Sequence, residues 1–183
     1  MDRQEALDSI RENVENQNLV KHMLAVEAVM RALARRLGGD ETEWGLAGLL
    51  HDIDVELTEG DMHAHSKLGA DLARDLGASE AIANAILVHN ETHGIMPETD
   101  MEKALYCADP LTGLITAAAL VLPDKQLAGL EAKSVLKRFK AKGFAAGASR
   151  EQMSRCVDIG LELDDFINIG LEAMKGVAPQ LGL

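Results

Sequence analysis

His51-Asp52 is a pair of adjacent residues that can both hold a metal ion, and the rest of the chain supplies company for it. All six histidines, His22, His51, His63, His65, His89 and His93, fall in one segment, and Asp109 follows at the end of a further apolar stripe. Imidazole nitrogens and carboxylate oxygens together form the donor set of a transition-metal site, which does hydrolytic or redox chemistry. A lone histidine on a helix face is ordinarily a satisfied core or surface residue, and a His-Asp dipeptide is common by chance. The combination decides otherwise. His22, His51, Asp52, His65, His89 and Asp109 all stand at inward-facing or helix-terminal positions, and burying so many ionisable groups without a cation is costly.

Apolar periodicity shows which elements must position them. The first dozen residues read as a short amphipathic helix. Leu19, Met23, Val26, Met30, Leu33 and Leu37 recur at helical spacing, with His22 on the same face and Gly38-Gly39 as a stop. Asp40 with Glu43 caps a helix that buries Trp44, Leu46, Leu49 and Leu50 and ends near His51-Asp52. Ending there matters, because adjacent helical residues point about 100° apart and do not share a metal easily. Residues 58–61 read as a loop. A helix is expected over about 65–76, with His65, Leu68, Leu72 and Leu76 inward, and another with Ile82, Ile86 and His89 on one face, extended one turn to His93. Thr99 and Glu102 form a capping box before Met101, Leu105, Ala108 and Asp109, and Pro110 is expected to bend or restart the chain. Ser149 with Gln152 caps a last stretch carrying Met153, Val157, Leu161, Phe166, Ile169 and Met174.

Composition agrees with packed helices. Hydrophobic residues make up 47% of 183 positions and aromatics only 3%, a core of Leu, Ala, Ile, Val and Met rather than a sheet. The expectation is one all-α domain of six to nine helices over 1–183. A metal-binding core occupies 18–125 and a helical C-terminal extension 126–183. The net charge of −12 argues against nucleic-acid polymers as partners, whereas a small phosphate compound is held by the metals themselves. Cys107 and Cys156 read as core residues of a reducing compartment, and the longest apolar run, 114–122, is too short for a bilayer. A cytoplasmic protein with no membrane partner is expected. The basic run through Lys133, Lys137, Arg138, Lys140 and Lys142 reads as a solvated face, and the last third is a candidate homo-oligomer interface.

The order His22, His51-Asp52, Asp109 resembles the signature of the HD superfamily of metal-dependent phosphohydrolases, over residues 18–125. Further segments resemble its two-metal branch: His65-Ser66-Lys67-Leu68-Gly69-Ala70, Val88-His89-Asn90 and Tyr106-Cys107-Ala108-Asp109. The nearest likeness within it is to bacterial HD nucleotide hydrolases. The resemblance implies a helical bundle with the metal site between helices. It assigns His22, His51, Asp52 and Asp109 to a first metal, with His65 and His89 completing a second that Asp52 bridges. It also implies His51 and Asp52 as the catalytic pair and a metal-activated water that attacks a phosphoester or phosphoanhydride of a small, nucleotide-like substrate. His93 is then a candidate substrate contact, while His63 reads as surface. Nitrogen-rich ligation suits one or two ions of Mn, Fe, Co, Ni or Zn rather than Mg or Ca.

Two departures bear on substrate. Where several branches carry a lysine after the His-Asp pair, this chain has Ile53-Asp54-Val55-Glu56, which adds negative charge. His93-Gly94-Ile95-Met96-Pro97 stands where the cyclic-dinucleotide branch has Gly-Tyr-Pro, which points away from cyclic di-GMP. The alternatives are a di-iron HD oxygenase, since a few relatives use the same ligands for oxygen chemistry, and a non-catalytic HD module that senses a ligand or binds a partner.

Overall fold

A computed structural model describes residues 1–141 and 143–183; Lys142, one of the basic run, lies outside the described residues. Among the described residues the protein is all-α, with ten α-helices and two 3-10 turns. The helices are α1 (Arg3–Asn13), α2 (Gln17–Leu37), α3 (Glu41–Leu50), α4 (Lys67–Asp75), α5 (Glu80–His89) and α6 (Asp100–Leu120), followed by α7 (Ala132–Phe139), α8 (Arg150–Ser154), α9 (Leu163–Gly176) and α10 (Ala178–Leu181).

Local chemistry sets most of the boundaries. Asp2, Asn16, Asp40, Ser79 and Thr99 each accept a backbone N–H of the following first turn, satisfying donors that a helix start leaves free. Gly38, at φ 79°, ends α2 in the left-handed conformation that glycine adopts without a Cβ clash.

The packing that matters to the site is α3 against α2. A Cβ on Gly48 would stand 2.9 Å from the Val26 carbonyl oxygen and 3.0 Å from the Glu27 nitrogen, so glycine lets the two backbones touch. That contact sets the spacing between His22 on α2 and His51 just beyond α3. Helices α2, α3, α5 and α6 pack around the buried Met30, Leu49, Ile86 and Leu105. The same core runs on into α9 and α10 through Phe166, Leu171, Met174 and Leu181. Met23, Met30, Met101, Met153 and Met174 are all buried, as are Cys107 and Cys156.

Four expectations change, the first being that α5 ends at His89, with Asn90 extended, so that His93 lies in a separate 3-10 turn and not one turn further along the same helix. Helix α4 starts at Lys67, not at His65, because Ser66 sits at φ 68° and breaks the helix there; Leu68, expected inward, is exposed. Pro110 does not restart the chain: α6 runs unbroken through it. Its missing N–H costs one backbone bond, and packing on both flanks holds the helix together. The periodic stretch from Ser149 to Met174 is not one helix, since Gly160 (φ 73°) stops a 3-10 turn and α9 starts afresh, leaving Val157 exposed. No helix among the described residues is long and apolar enough to cross a membrane.

Candidate metal centre

Four imidazoles converge on one carboxylate. Asp52 Oδ2 lies 3.6 Å from His22 Nε2 and 3.3 Å from His51 Nε2, whereas Asp52 Oδ1 lies 3.5 Å from both His65 Nε2 and His89 Nε2. Asp109 Oδ1 closes the first side at 3.0 Å from His22 Nε2 and 3.8 Å from His51 Nε2. The rings stand edge to face in a row, with centroids 5.1 Å apart for His22 and His51, 5.0 Å for His51 and His89, and 5.2 Å for His89 and His65.

Each ring is turned by its far nitrogen. His51 Nδ1 donates to the Gly48 carbonyl at 2.8 Å and His89 Nδ1 to the Ile86 carbonyl at 2.6 Å, both three residues back where a helix end leaves carbonyls free. His22 Nδ1 is 3.0 Å from Thr112 Oγ1, whose own proton goes to the Asp109 carbonyl, so the hydroxyl accepts. His65 Nδ1 donates to Asp54 Oδ1 at 2.8 Å. With every Nδ1 proton committed to its partner, all four Nε2 atoms face the carboxylates, and a metal that displaces any Nε2 proton would find the tautomer a ligand needs.

Asp54 was legible only as additional negative charge, and the structure corrects that reading. It is completely buried and accepts from His65 Nδ1, from the Ser66 backbone at 2.7 Å and from the Gly69 backbone at 2.8 Å. A Cβ on Gly69 would press to 3.1 Å of this carboxylate, so glycine admits it. Its charge is spent on holding His65. Glu56 is likewise engaged, accepting the Glu15 and Asn16 backbone N–H groups at the entry to α2.

Electrostatics follow from the crowding. Burial disfavours the charged form of Asp52, but the surrounding imidazoles, His51 first, outweigh it and hold the carboxyl well below the usual range. For Asp109, burial is again outweighed, by His22 and His51, and its carboxyl too is lowered. His51 is pulled the other way: burial favours its neutral form, while Asp52 and Asp109 raise it well above the ordinary imidazole value. His65 is raised against burial by its bond to Asp54.

The residues fit a metal on an observation independent of the donor set. His51 Nε2 is fully buried and has no hydrogen-bond partner among the described residues. An orphaned buried nitrogen aimed into a nest of carboxylates is expensive unless a cation takes its lone pair. His22, His51 and Asp109 bring three ligand atoms within 4.8 Å of one another, and so do His51, Asp52 and His89.

Beside the second group opens a cavity of about 320 Å³, lined by Asp52, His65, His89, Asn90, Asp109 and Gln152 among others, with no lysine or arginine among the described residues. His93 does not line it. Its Nε2 donates to the His65 carbonyl at 2.8 Å and sits 2.9 Å from Ser66 Oγ, which places it behind His65. Asn90 joins that brace through the Met62 and His65 carbonyls. His63 is exposed. Gln152, read from the sequence only as a cap residue, reaches from α8 to the His89 carbonyl at 3.3 Å.

A family model described as HD domain matches residues 19–119, the segment that holds every converging ligand. Among curated proteins, ribonuclease Y of Oleidesulfovibrio alaskensis is 32% identical over 74% of this chain, and those of Lawsonia intracellularis and Aquifex aeolicus are 32% and 33% identical. The chain spans about a quarter of the length of these relatives, 26%, 26% and 25% of each. No solved structure matches it. These relatives, named as ribonucleases, overturn the expectation that nucleic-acid polymers are excluded in favour of a small nucleotide. Net charge is an average over a whole surface, and it does not fix the field inside a site built to hold cations. With the matched segment covering more than half the sequence, the chain belongs to the HD domain family of metal-dependent phosphohydrolases.

Proposed function

We propose that this protein is a metal-dependent phosphodiesterase that cleaves RNA. The observation that carries the reading is the division of Asp52: one oxygen faces His22 and His51, the other His65 and His89. With the Asp52 oxygens shared in that way, His22, His51, Asp52 and Asp109 would hold one cation, and His65 and His89 with Asp52 would hold a second. Divalent Mn, Fe, Co, Ni or Zn, when bound by those residues, would supply a water with a pKa brought toward neutrality and a place for charge on phosphoryl oxygens. The ribonuclease relatives support a phosphodiester of RNA as the bond that is cut.

The chain's own part is to hold and orient. Thr112, Gly48, Ile86 and Asp54 fix the four imidazole tautomers. The cavity beside His65 and His89 is placed to take a phosphodiester, and among the described residues no basic side chain lines it, so the substrate's charge would be met by ions held at the His/Asp cluster. Among the described residues no serine or cysteine lines that cavity. Burial pushes both cysteine thiols up, that of Cys156 to about 11. Ser66, although paired with His93, is wholly buried and donates to the Leu87 carbonyl.

The test is elemental analysis of protein purified without chelator, followed by assay on a labelled single-stranded RNA. Cleavage should stop with chelator, return with Mn or Co, and place one heavy oxygen from labelled water on the new phosphate end. Oxygen consumption without cleavage would favour the oxygenase chemistry instead, and metal binding with no turnover would favour a sensing module.

A further inference from the structure

The metal centre lies in a longer depression, and its far end differs in chemistry from the cavity already described. That cavity shares Asp109 and Gln152 with a shallow neighbour, which in turn shares His22 and Gly113 with a cavity of about 490 Å³ between α2 and α6. One stripe of α2, Asn18, Lys21, His22 and Ala25, forms one wall. One stripe of α6, Gly113, Thr116, Ala117 and Leu120, continues from Asp109 along the other, and Leu181, Gly182 and Leu183 close a third side, with Lys21 against Gly182. The α6 stripe thus runs away from the metal-facing Asp109 at helical spacing, while on α2 the metal-facing His22 lies within the stripe, between Lys21 and Ala25.

We infer that this α2/α6 cavity is the subsite for the nucleotide next to the scissile phosphate of an RNA strand, with Lys21 on the adjoining phosphate and the base on the floor of Ala25, Gly113, Ala117 and Leu120. The inference rests on the phosphodiesterase reading above. Three observations carry it. The first is charge: in a chain of net −12, no Asp or Glu side chain among the described residues lines this cavity, where Leu183 contributes the one backbone carboxylate, and Lys21 makes no ion pair among those residues. The other cavity carries Asp52, Asp109 and Glu91 and no cation, so a polyanion leaving the metals is favoured toward Lys21.

The second observation is Gly113. It stands inside α6, where glycine costs about 1 kcal/mol relative to alanine. A Cβ there would meet nothing within 4 Å, so internal packing does not require glycine. Bare backbone facing an open cavity is instead what a flat ligand needs in order to lie close. The third is size and lining. The volume falls in the range of about 300–1,000 Å³ typical of small-molecule sites, and apart from His22 at the metal end the polar side chains on its walls are Asn18, Thr116 and Lys21, which can meet a base edge or phosphate.

The experiment uses the Mn-loaded full chain, a fluorescein-labelled hexauridylate for binding and cleavage, and bis(p-nitrophenyl) phosphate as a substrate with no neighbouring nucleotide. Lys21→Ala and Gly113→Leu are compared with the parent, and Gly113→Ala checks that α6 tolerates a side chain. Each of the first two variants should weaken hexauridylate binding about tenfold. The ratio of kcat/KM for hexauridylate to that for the small diester should drop by a similar factor, with metal content and Tm unchanged. If the parent cleaves hexauridylate and both variants match it in affinity and in that ratio, the subsite is wrong and the phosphodiesterase reading stands. If the parent hydrolyses the small diester but neither binds nor cleaves hexauridylate, the RNA reading and the subsite fall together.

Discussion

Asp54 shows how much of a metal centre can lie one bond behind its ligands. Its buried carboxylate takes one imidazole proton and two backbone N–H groups, and the left-handed Ser66 and the close-lying Gly69 make room for that arrangement. A carboxylate behind a ligating histidine fixes the ring and raises its basicity, and losing such a partner typically costs about 10–100-fold in metal affinity. Asp54→Asn should therefore lose affinity by that factor at the His65/His89 position and bind nearer one ion than two under limiting metal, while the His22/His51/Asp109 position stays filled. Calorimetric titration with Mn, paired with elemental analysis, checks it; two ions at parental affinity would remove Asp54 from the centre. Proton linkage belongs to the same residues. In the metal-free protein the raised values of His51 and His65 stabilise the fold below about pH 6.5, and that contribution is lost as pH rises through their folded values. The lowered Asp52 and Asp109 act in the opposite sense, contributing above about pH 3.9 and losing that contribution as pH falls through their folded values. Metals need unprotonated nitrogens, so affinity should climb with pH from 6 to 8, by about tenfold per unit for each proton displaced. Titrations across that window should show it, and a flat profile would mean that the imidazoles do not bind the ion.

At the scale of elements, the centre depends on how closely α3 lies on α2. Gly48→Val would drive a Cβ into Met30 Cγ and the Val26 carbonyl, both at 2.9 Å, and branching leaves it no rotamer that escapes. A loss of about 1–3 kcal/mol by urea denaturation is expected, with weaker metal binding as His51 is pushed from His22. Parental stability would show that the two helices can part without cost. The glycine was visible in the sequence, but nothing local marks it as a helix contact rather than a flexible point. The same limit explains the rest of the comparison. Alternating apolar positions and capping residues made α2, α3, α5 and the start of α6 legible, together with the inward aspect of His22 and His89. His65 was expected inward for a mistaken reason: Leu68, its supposed helical companion, is exposed, and a turn clamped by Asp54 aims the ring instead. Such a clamp joins residues 11 apart through a buried charge, a relation that periodicity does not record. Pro110 and Gly160 are the converse case, where tertiary packing carries one helix through its breaker and a left-handed turn ends another.

Over the whole molecule, the question is whether the segment after residue 125 is an appendage or part of the body that holds the site. Arg150 ties its loop together by donating to the carbonyls of Arg138, Phe139, Phe144, Ala145 and Ala148. Helix α9 then packs on α2 and α6, the helices that carry His22 and Asp109. The contact is intimate: a Cβ on Gly170 would stand 2.6 Å from Leu111 Cδ2 and 3.3 Å from Ile115 Cδ1. Removing residues 126–183 would expose Leu111 and Ile115, now wholly buried, on the flank of α6 next to Asp109. Each newly exposed aliphatic side chain costs about 1.5–3 kcal/mol, and a domain holds only about 5–15 kcal/mol in all. A chain ending at residue 125 should therefore lose cooperative unfolding, bind a dye specific for exposed apolar surface and fail to retain metal, even though every converging ligand is present. Arg150→Ala in the full chain should show the milder form of the same defect, a lowered Tm with the metal count intact. Sigmoidal urea unfolding and stoichiometric metal in the shortened chain would make the last third an accessory. Loss of both would make the metal centre a property of the entire helical body, with Gln152 reaching the His89 carbonyl from the far side.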